Sequence, residues 1–136
     1  MIRSILVFVF LALLISAAAF SPGALASDTT VSSNIGFVLY TKSHAPGTLN
    51  ARWMYGEQYR GPGIATGGPR EGFAGQYHVR YFFEDGKFSD EYDLVIAKTG
   101  DIYQATWLVE GKVKAEGVGM EVENGLAIGW HRTDME

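Results

Sequence analysis

Hydrophobic and polar residues alternate along most of the chain after Ile35, and turn signals separate the alternating runs. A period of two residues predicts β-strands with one buried face. About eight strands are predicted, at residues 35–43, 48–55, 60–67, 75–83, 88–98, 102–110, 113–122 and 126–131. Even spacing and tight turns favour an all-β fold, a single antiparallel meander β-barrel of about eight strands. A two-sheet β-sandwich is the alternative.

Two turn signals in the middle of the chain predict how its strands pair. Asp85-Gly86 indicates a two-residue type I′ turn, in which both central residues have positive φ. This turn predicts four pairs: Phe83 with Phe88, Tyr81 with Asp90, Val79 with Tyr92, and Tyr77 with Leu94. A turn at Thr99-Gly100 predicts three more: Ile96 with Tyr103, Leu94 with Ala105, and Tyr92 with Trp107. Both turns direct the same apolar face inward, whereas a one-residue error in either would turn that face outward.

The last two hairpins leave one question of register open. A three-residue loop at 110–112 keeps the interior face and predicts three pairs: Trp107 with Ala115, Ala105 with Gly117, and Tyr103 with Gly119. Large side chains then meet small ones, as a narrow barrel requires. Asn124-Gly125 predicts the final hairpin, but the apolar residues of 118–122 alternate out of phase with those of 113–115. A glycine bulge at Gly117 or Gly119 would restore the phase.

The most acidic stretch, residues 84–93, divides between the two faces of the predicted barrel. Glu91 falls opposite Arg80 and Asp93 opposite His78, which predicts outward pairs of opposite charge. The spacing does not fit a calcium-binding loop. Asp90 is the exception, because its position in the alternation points inward. There it could orient a ligand or act as a general base, or it could be a strand-end carboxylate that reaches water.

Aromatic residues dominate the predicted interior face. They form core in most barrels, yet buried tyrosine hydroxyls need hydrogen-bond partners, so several on one face also suggest a small-ligand pocket. The candidate ligand-binding residues are Tyr77, Tyr81, Asp90, Tyr92, Tyr103, Trp107 and Trp53. No catalytic residue, metal ligand or cofactor is assigned.

The first 26 residues have the organisation of a secretory signal peptide. Arg3 precedes an apolar run from Ile5 to Phe20, and Ala24-Leu25-Ala26 supplies a small-residue cleavage site. A retained anchor is the alternative. We therefore expect a signal peptide at 1–26, a single β-barrel domain at 27–136, and export to the periplasm or the extracellular space.

Signal cleavage gives a direct prediction about the exported protein. Because the cleavage site ends at Ala26, N-terminal sequencing of the exported protein is expected to begin at Ser27. A chain that begins at Met1 in the membrane fraction would contradict this expectation.

Charge and motif content narrow the functional classes. The chain has a formal net charge of −4 and no cysteine. An acidic balance disfavours nucleic acid and, after signal removal, the membrane surface as partners. Thiolate metal sites and cysteine nucleophiles are excluded. The glycine-rich segment 55–75 lacks a phosphate-loop ending, the histidines lack zinc-site spacing, and no nucleophile elbow is present.

Residues 75–130 resemble a pattern of small exported bacterial barrels. GQYHVRYFFEDGKFSDEYDLVIAKTGDIYQATW, followed by GVGM and GLAIGW, is similar to the turns and interior aromatics of the calycin group, which includes lipocalins and avidins. The resemblance implies a meander barrel that can enclose a ligand cavity. It identifies no residue of this chain with a lipocalin or avidin ligand contact.

Three functions follow as hypotheses. The first is an exported protein that binds a small apolar or aromatic molecule in an aromatic-lined lumen. The second is a small lipocalin-like enzyme that uses Tyr81, Asp90 and Tyr92 in that lumen. The third is a protein-interaction module that acts through the glycine-rich loop. The oligomeric state is not predicted.

Overall fold

The structure, a computed structural model, describes residues 33–134, so the predicted signal peptide lies outside the described residues. Its eight β-strands are β1 (Gly36–Lys42), β2 (Leu49–Tyr55), β3 (Tyr59–Thr66), β4 (Gly75–Phe82), β5 (Phe88–Thr99), β6 (Ile102–Val109), β7 (Lys112–Val122) and β8 (Gly125–Arg132). All eight predicted strands are confirmed, with each end within one residue of the predicted one. No helix that could span a membrane occurs in that part of the chain.

The eight strands form one closed barrel in chain order, and every neighbouring pair is antiparallel. The closing pair joins β1 to β8, from Gly36 opposite Trp130 to Tyr40 opposite Leu126. Closure leaves no free sheet edge for another chain to pair with. The predicted all-β meander barrel is therefore confirmed, and the two-sheet sandwich is wrong.

The core fills the middle of the barrel with alternate residues from the strands. Its fully buried side chains include Val38, Tyr40, Leu49, Val79, Leu94, Ile96, Leu126 and Ile128. Burial of each large apolar side chain contributes about 1.5–3 kcal/mol. Glycines leave room for the rings: Gly63 lies opposite Tyr81, and a Cβ on Gly63 would stand 2.7 Å from that ring. Large residues do meet small ones across the strands.

The β4–β5 hairpin keeps its predicted interior register through a different turn. Only Gly86 has positive φ, at 89°, so the predicted type I′ turn is wrong. Phe83 N donates to Lys87 O at 2.8 Å, which makes a three-residue loop, and Phe82 rather than Phe83 pairs with Phe88. A bulge at Ser89 offsets the extra loop residue. Tyr81 therefore still faces Asp90, and Val79 faces Tyr92 and Tyr77 faces Leu94, as predicted.

The β5–β6 register differs from the prediction by two residues. The turn is Gly100-Asp101 rather than Thr99-Gly100. Gly100 has a φ of 62°, as the first central residue of a type II′ turn requires, and glycine is favoured at that position. The observed pairs are Leu94 with Trp107, Ile96 with Ala105, and Lys98 with Tyr103. A shift of two residues keeps the interior face but changes every cross-strand neighbour.

The β6–β7 pairing is as predicted, although its loop is not. Trp107 faces Ala115, Ala105 faces Gly117 and Tyr103 faces Gly119. The turn has two residues, Glu110 and Gly111, with φ of 52° and 82°. A bulge at Lys114 supplies the extra residue that the prediction assigned to the loop.

That bulge also resolves the question of phase in β7. Pairing of β7 with β8 runs without interruption from Ala115 to Val122, so the predicted glycine bulge at Gly117 or Gly119 is wrong. The bulge at Lys114 turns Val113 outward, in phase with Val118, Met120 and Val122 on the exposed side of the strand. The final turn is Glu123-Asn124 rather than the predicted Asn124-Gly125, with φ of 65° at Asn124.

The two ends of the barrel differ in construction. The open end carries the β2–β3, β4–β5 and β6–β7 turns, and the closed end carries the other four connections. At the closed end the loop after β3 inserts Phe73, which is 7% exposed and meets the Tyr103 ring edge-on at 6.5 Å. Lys42 binds this loop through Gly72 O and lies 5.2 Å from the Phe73 ring centre. Of the glycine-rich segment 55–75, only the residues between β3 and β4 form this closed-end loop, whereas Tyr59–Thr66 form β3 and the residues between β2 and β3 turn at the open end.

Candidate functional site

A cavity of about 300 Å³ opens at the open end of the barrel. Thirteen residues line it, and eight of these are aromatic. The lining residues are Val38, Trp53, Tyr55, Tyr59, Tyr81, Phe83, Ser89, Asp90, Tyr92, Trp107, Ala115, Trp130 and Arg132. All three tryptophans of the chain are among them.

Two buried phenols and an indole form a hydrogen-bonded floor beneath the cavity. Trp107 Nε1 donates to the Tyr81 hydroxyl at 2.8 Å, and the Tyr40 and Tyr81 hydroxyls lie 2.5 Å apart. Burial raises the pKa of Tyr40 and of Tyr81, so both phenols stay protonated at neutral pH. Their shared bond uses one of the two phenolic hydrogens. The other has no acceptor among residues 33–134.

Ring contacts hold the walls of the cavity in place. Tyr55 stacks on Trp130 with centroids 5.0 Å apart, and Trp130 meets Trp107 at 5.9 Å. Gly36 permits the first of these contacts, because a Cβ there would overlap the Trp130 indole. On the other side, Trp53 lies 5.9 Å from Phe83.

Backbone carbonyls fix the Trp53 side chain from outside the cavity. Its Nε1 donates to Pro62 O at 3.1 Å and to Phe82 O at 3.0 Å. Both carbonyls belong to neighbouring strands, β3 and β4. The indole is therefore oriented by the barrel and does not depend on a ligand for its position.

Asp90 and Tyr92 occupy successive inward positions of β5 and form a hydrogen-bonded pair at the mouth of the cavity. Tyr92 donates from its hydroxyl to Asp90 Oδ2 at 2.5 Å. Partial burial and the bond to Asp90 raise the pKa of Tyr92, so Tyr92 remains a donor. Asp90 itself is partly buried. The pair places a carboxylate at the edge of an aromatic cavity.

The end of β8 completes the rim. Arg132 binds Asp134 through two hydrogen bonds of 3.1 Å, from Nε and from Nη2. Asn34 joins the start of the barrel to this point, since its Oδ1 accepts from Arg132 N at 2.8 Å and from the Tyr55 hydroxyl at 2.9 Å.

The structure brings together five of the seven residues that the sequence suggested for a site: Trp53, Tyr81, Asp90, Tyr92 and Trp107. The other two do not line the cavity. Tyr77 donates to Phe73 O at 2.8 Å, and Tyr103 packs against the Phe73 ring at the closed end. The alternation of inward and outward residues correctly predicted that both point inward, but it carries no information about their height along the barrel axis.

Sequence reasoning missed several lining residues. Trp130 had a signal, because Leu126, Ile128 and Trp130 alternate within the GLAIGW motif. Phe83 is predicted to pair with Phe88, but it instead bonds Lys87 at the base of the β4–β5 loop, at the mouth of the cavity. Tyr40 does not line the cavity, but its hydroxyl meets that of Tyr81 in the floor, across the interior of the closed barrel.

The outward pairs in the acidic stretch also have defined partners. His78 Nε2 lies 3.1 Å from Glu91 and its Nδ1 lies 3.4 Å from Asp93, while Arg80 Nε lies 3.7 Å from Glu91. All four side chains are about half exposed or more. The predicted solvated face is confirmed, with His78 shared between both acids.

The fold and cavity define a closed eight-stranded antiparallel meander barrel with an aromatic pocket at one end. Comparison of the chain with protein-family models, with curated proteins and with solved structures gives no match.

Proposed function

We propose that this protein is an exported, calycin-like barrel that binds a small apolar or aromatic molecule at its open end. The observation that carries the proposal is the cavity of about 300 Å³ with eight aromatic residues in its lining. Pockets for small ligands start at about this volume and combine apolar walls with a few polar groups.

The polar groups of the cavity suit recognition of one end of a ligand. Asp90 offers an acceptor at the mouth, and the Tyr81 hydroxyl in the lining has its hydrogen free for an acceptor on the ligand when Tyr40 donates their shared bond. The walls are positioned by contacts within the barrel, so binding does not require them to be ordered first. Preorganisation of this kind lowers the entropic cost of binding.

The proposal is tested by filling the cavity from its rim. Ser89 lines the cavity and is partly buried, whereas Glu91 lies on the outer face of the same strand. Ser89→Phe is expected to weaken binding of the neutral probe N-phenyl-1-naphthylamine by about tenfold or more, or about 1.4 kcal/mol, because the new ring occupies the mouth. Energy transfer from the three cavity tryptophans to the probe measures the affinity.

Glu91→Phe is the matched control, since it adds the same ring to the outer face. Unchanged affinity in both variants, or an equal loss in both, would place the probe elsewhere and defeat the proposal. Native mass spectrometry of protein purified from its host provides an independent readout, because a bound small molecule adds its mass to the protein. Ser89→Phe is expected to lower the fraction of protein that carries this added mass.

A further inference from the structure

We propose that the ligand carries an organic ammonium group, which Asp90 binds at the mouth while the aromatic rings enclose the rest of the molecule. This inference rests on the proposed binding function and specifies its ligand class. Three features of the cavity carry it: the lack of an ion-pair partner for Asp90, the second oxygen of Asp90, and the aromatic residues of the lining.

The one acidic residue of the lining has no ion-pair partner in the described part of the chain. Asp90 and Arg132 are the two charged residues among the thirteen that line the cavity. The guanidinium of Arg132 is engaged with Asp134 by two hydrogen bonds of 3.1 Å. No lysine, arginine or histidine of residues 33–134 lies within ion-pair distance of Asp90. Arg132 is thus ion-paired with Asp134, whereas Asp90 has no ion-pair partner among residues 33–134.

The second oxygen of Asp90 is available to a ligand. Oδ2 accepts the Tyr92 hydroxyl at 2.5 Å, and no side chain or backbone group in the described part of the chain donates to Oδ1. A carboxylate accepts two or more hydrogen bonds, and a charged donor makes the stronger ones. An ammonium group supplies both the donor and the missing positive charge.

The aromatic lining favours the same class of ligand. A cation over the face of tryptophan or tyrosine is attracted by the ring quadrupole, most strongly by tryptophan. Trp53 and Trp130 stand on two sides of the cavity, with Tyr59 and Tyr92 also in its lining. A neutral hydroxyl could also donate to Asp90, as Tyr92 does, but without the added strength of a charged donor, and an anionic ligand would be repelled.

Three probes that share a phenyl ring and differ in charge test the inference: 2-phenylethylammonium, 2-phenylethanol and phenylacetate. Quenching of the three cavity tryptophans measures the affinity of each. We expect the ammonium probe to bind at least about tenfold more tightly than the alcohol, and phenylacetate to bind most weakly. Asp90→Asn is expected to remove the preference for the ammonium probe and to leave the affinity for the alcohol unchanged.

Asp93→Asn is the matched control, because Asp93 loses the same charge three residues along β5 on the outer face. It should leave all three affinities unchanged. Equal binding of ammonium and alcohol would overturn the inference while leaving the binding function intact, and so would tightest binding of phenylacetate, which would make Arg132 the anchor. Binding of none of the probes would overturn the inference, and the affinity for N-phenyl-1-naphthylamine would decide separately whether the binding function stands. The relative affinities of the three probes for the wild-type protein test the inference even if Asp90→Asn does not fold.

Discussion

Trp107→Ala is expected to lower the free energy of unfolding by about 3–5 kcal/mol, the range for removal of a buried tryptophan from a core. Trp107 is 3% exposed and lies between Leu94 on β5 and Ala115 on β7. Its indole also donates to Tyr81 and packs against Trp130. The substitution therefore removes core volume and one buried hydrogen bond together. Urea unfolding followed by circular dichroism measures the change.

Glu91→Ala is the comparison for this measurement. The Glu91 side chain is 47% exposed, and its partners on the outer face, His78 and Arg80, are about half exposed as well. Exposed ion pairs contribute little, so the expected change is below about 0.5 kcal/mol. Equal effects at the two positions would contradict the observed register, in which Trp107 faces the core and Glu91 faces water.

Tyr81→Phe is expected to cost about 2 kcal/mol or more, a larger loss than a single hydroxyl commonly causes. The Tyr81 hydroxyl serves both Trp107 Nε1 and the Tyr40 hydroxyl. Its removal leaves two buried polar groups without their partner, and an unsatisfied buried group costs about 1–3 kcal/mol. The change in volume is small, so the loss reports on the hydrogen bonds rather than on packing.

Tyr40→Phe provides the internal reference for that experiment. Tyr81 still accepts from Trp107 in this variant, so we expect a cost of about 1 kcal/mol. Urea unfolding of the two single variants gives the difference. If Tyr40→Phe cost as much as Tyr81→Phe, the Tyr81 hydroxyl would not be the shared centre of the floor.

Several parts of the fold could be predicted from the sequence alone. The alternation of apolar and polar residues identified all eight strands and placed Tyr81, Asp90, Tyr92 and Trp107 on the interior face. Two of the predicted registers are also observed, Tyr81 opposite Asp90 and Trp107 opposite Ala115. Both survive errors in the turns, since in each hairpin a bulge compensates for a loop of unexpected length. A one-residue mismatch would bury polar side chains, so the barrel accommodates it where a bulge costs little.

The sequence by itself determined which residues form strands and which of their side chains point inward, because alternation with a period of two is a local property of the chain. Only the tertiary structure decided at what height along the barrel each inward residue lies. That height depends on the conformation of each turn, as the shift of two residues between β5 and β6 shows, and on the stagger with which β1 meets β8. These long-range relations send Tyr77 and Tyr103 to the closed end with Phe73, and they bring Trp130 beside Trp107 at the mouth.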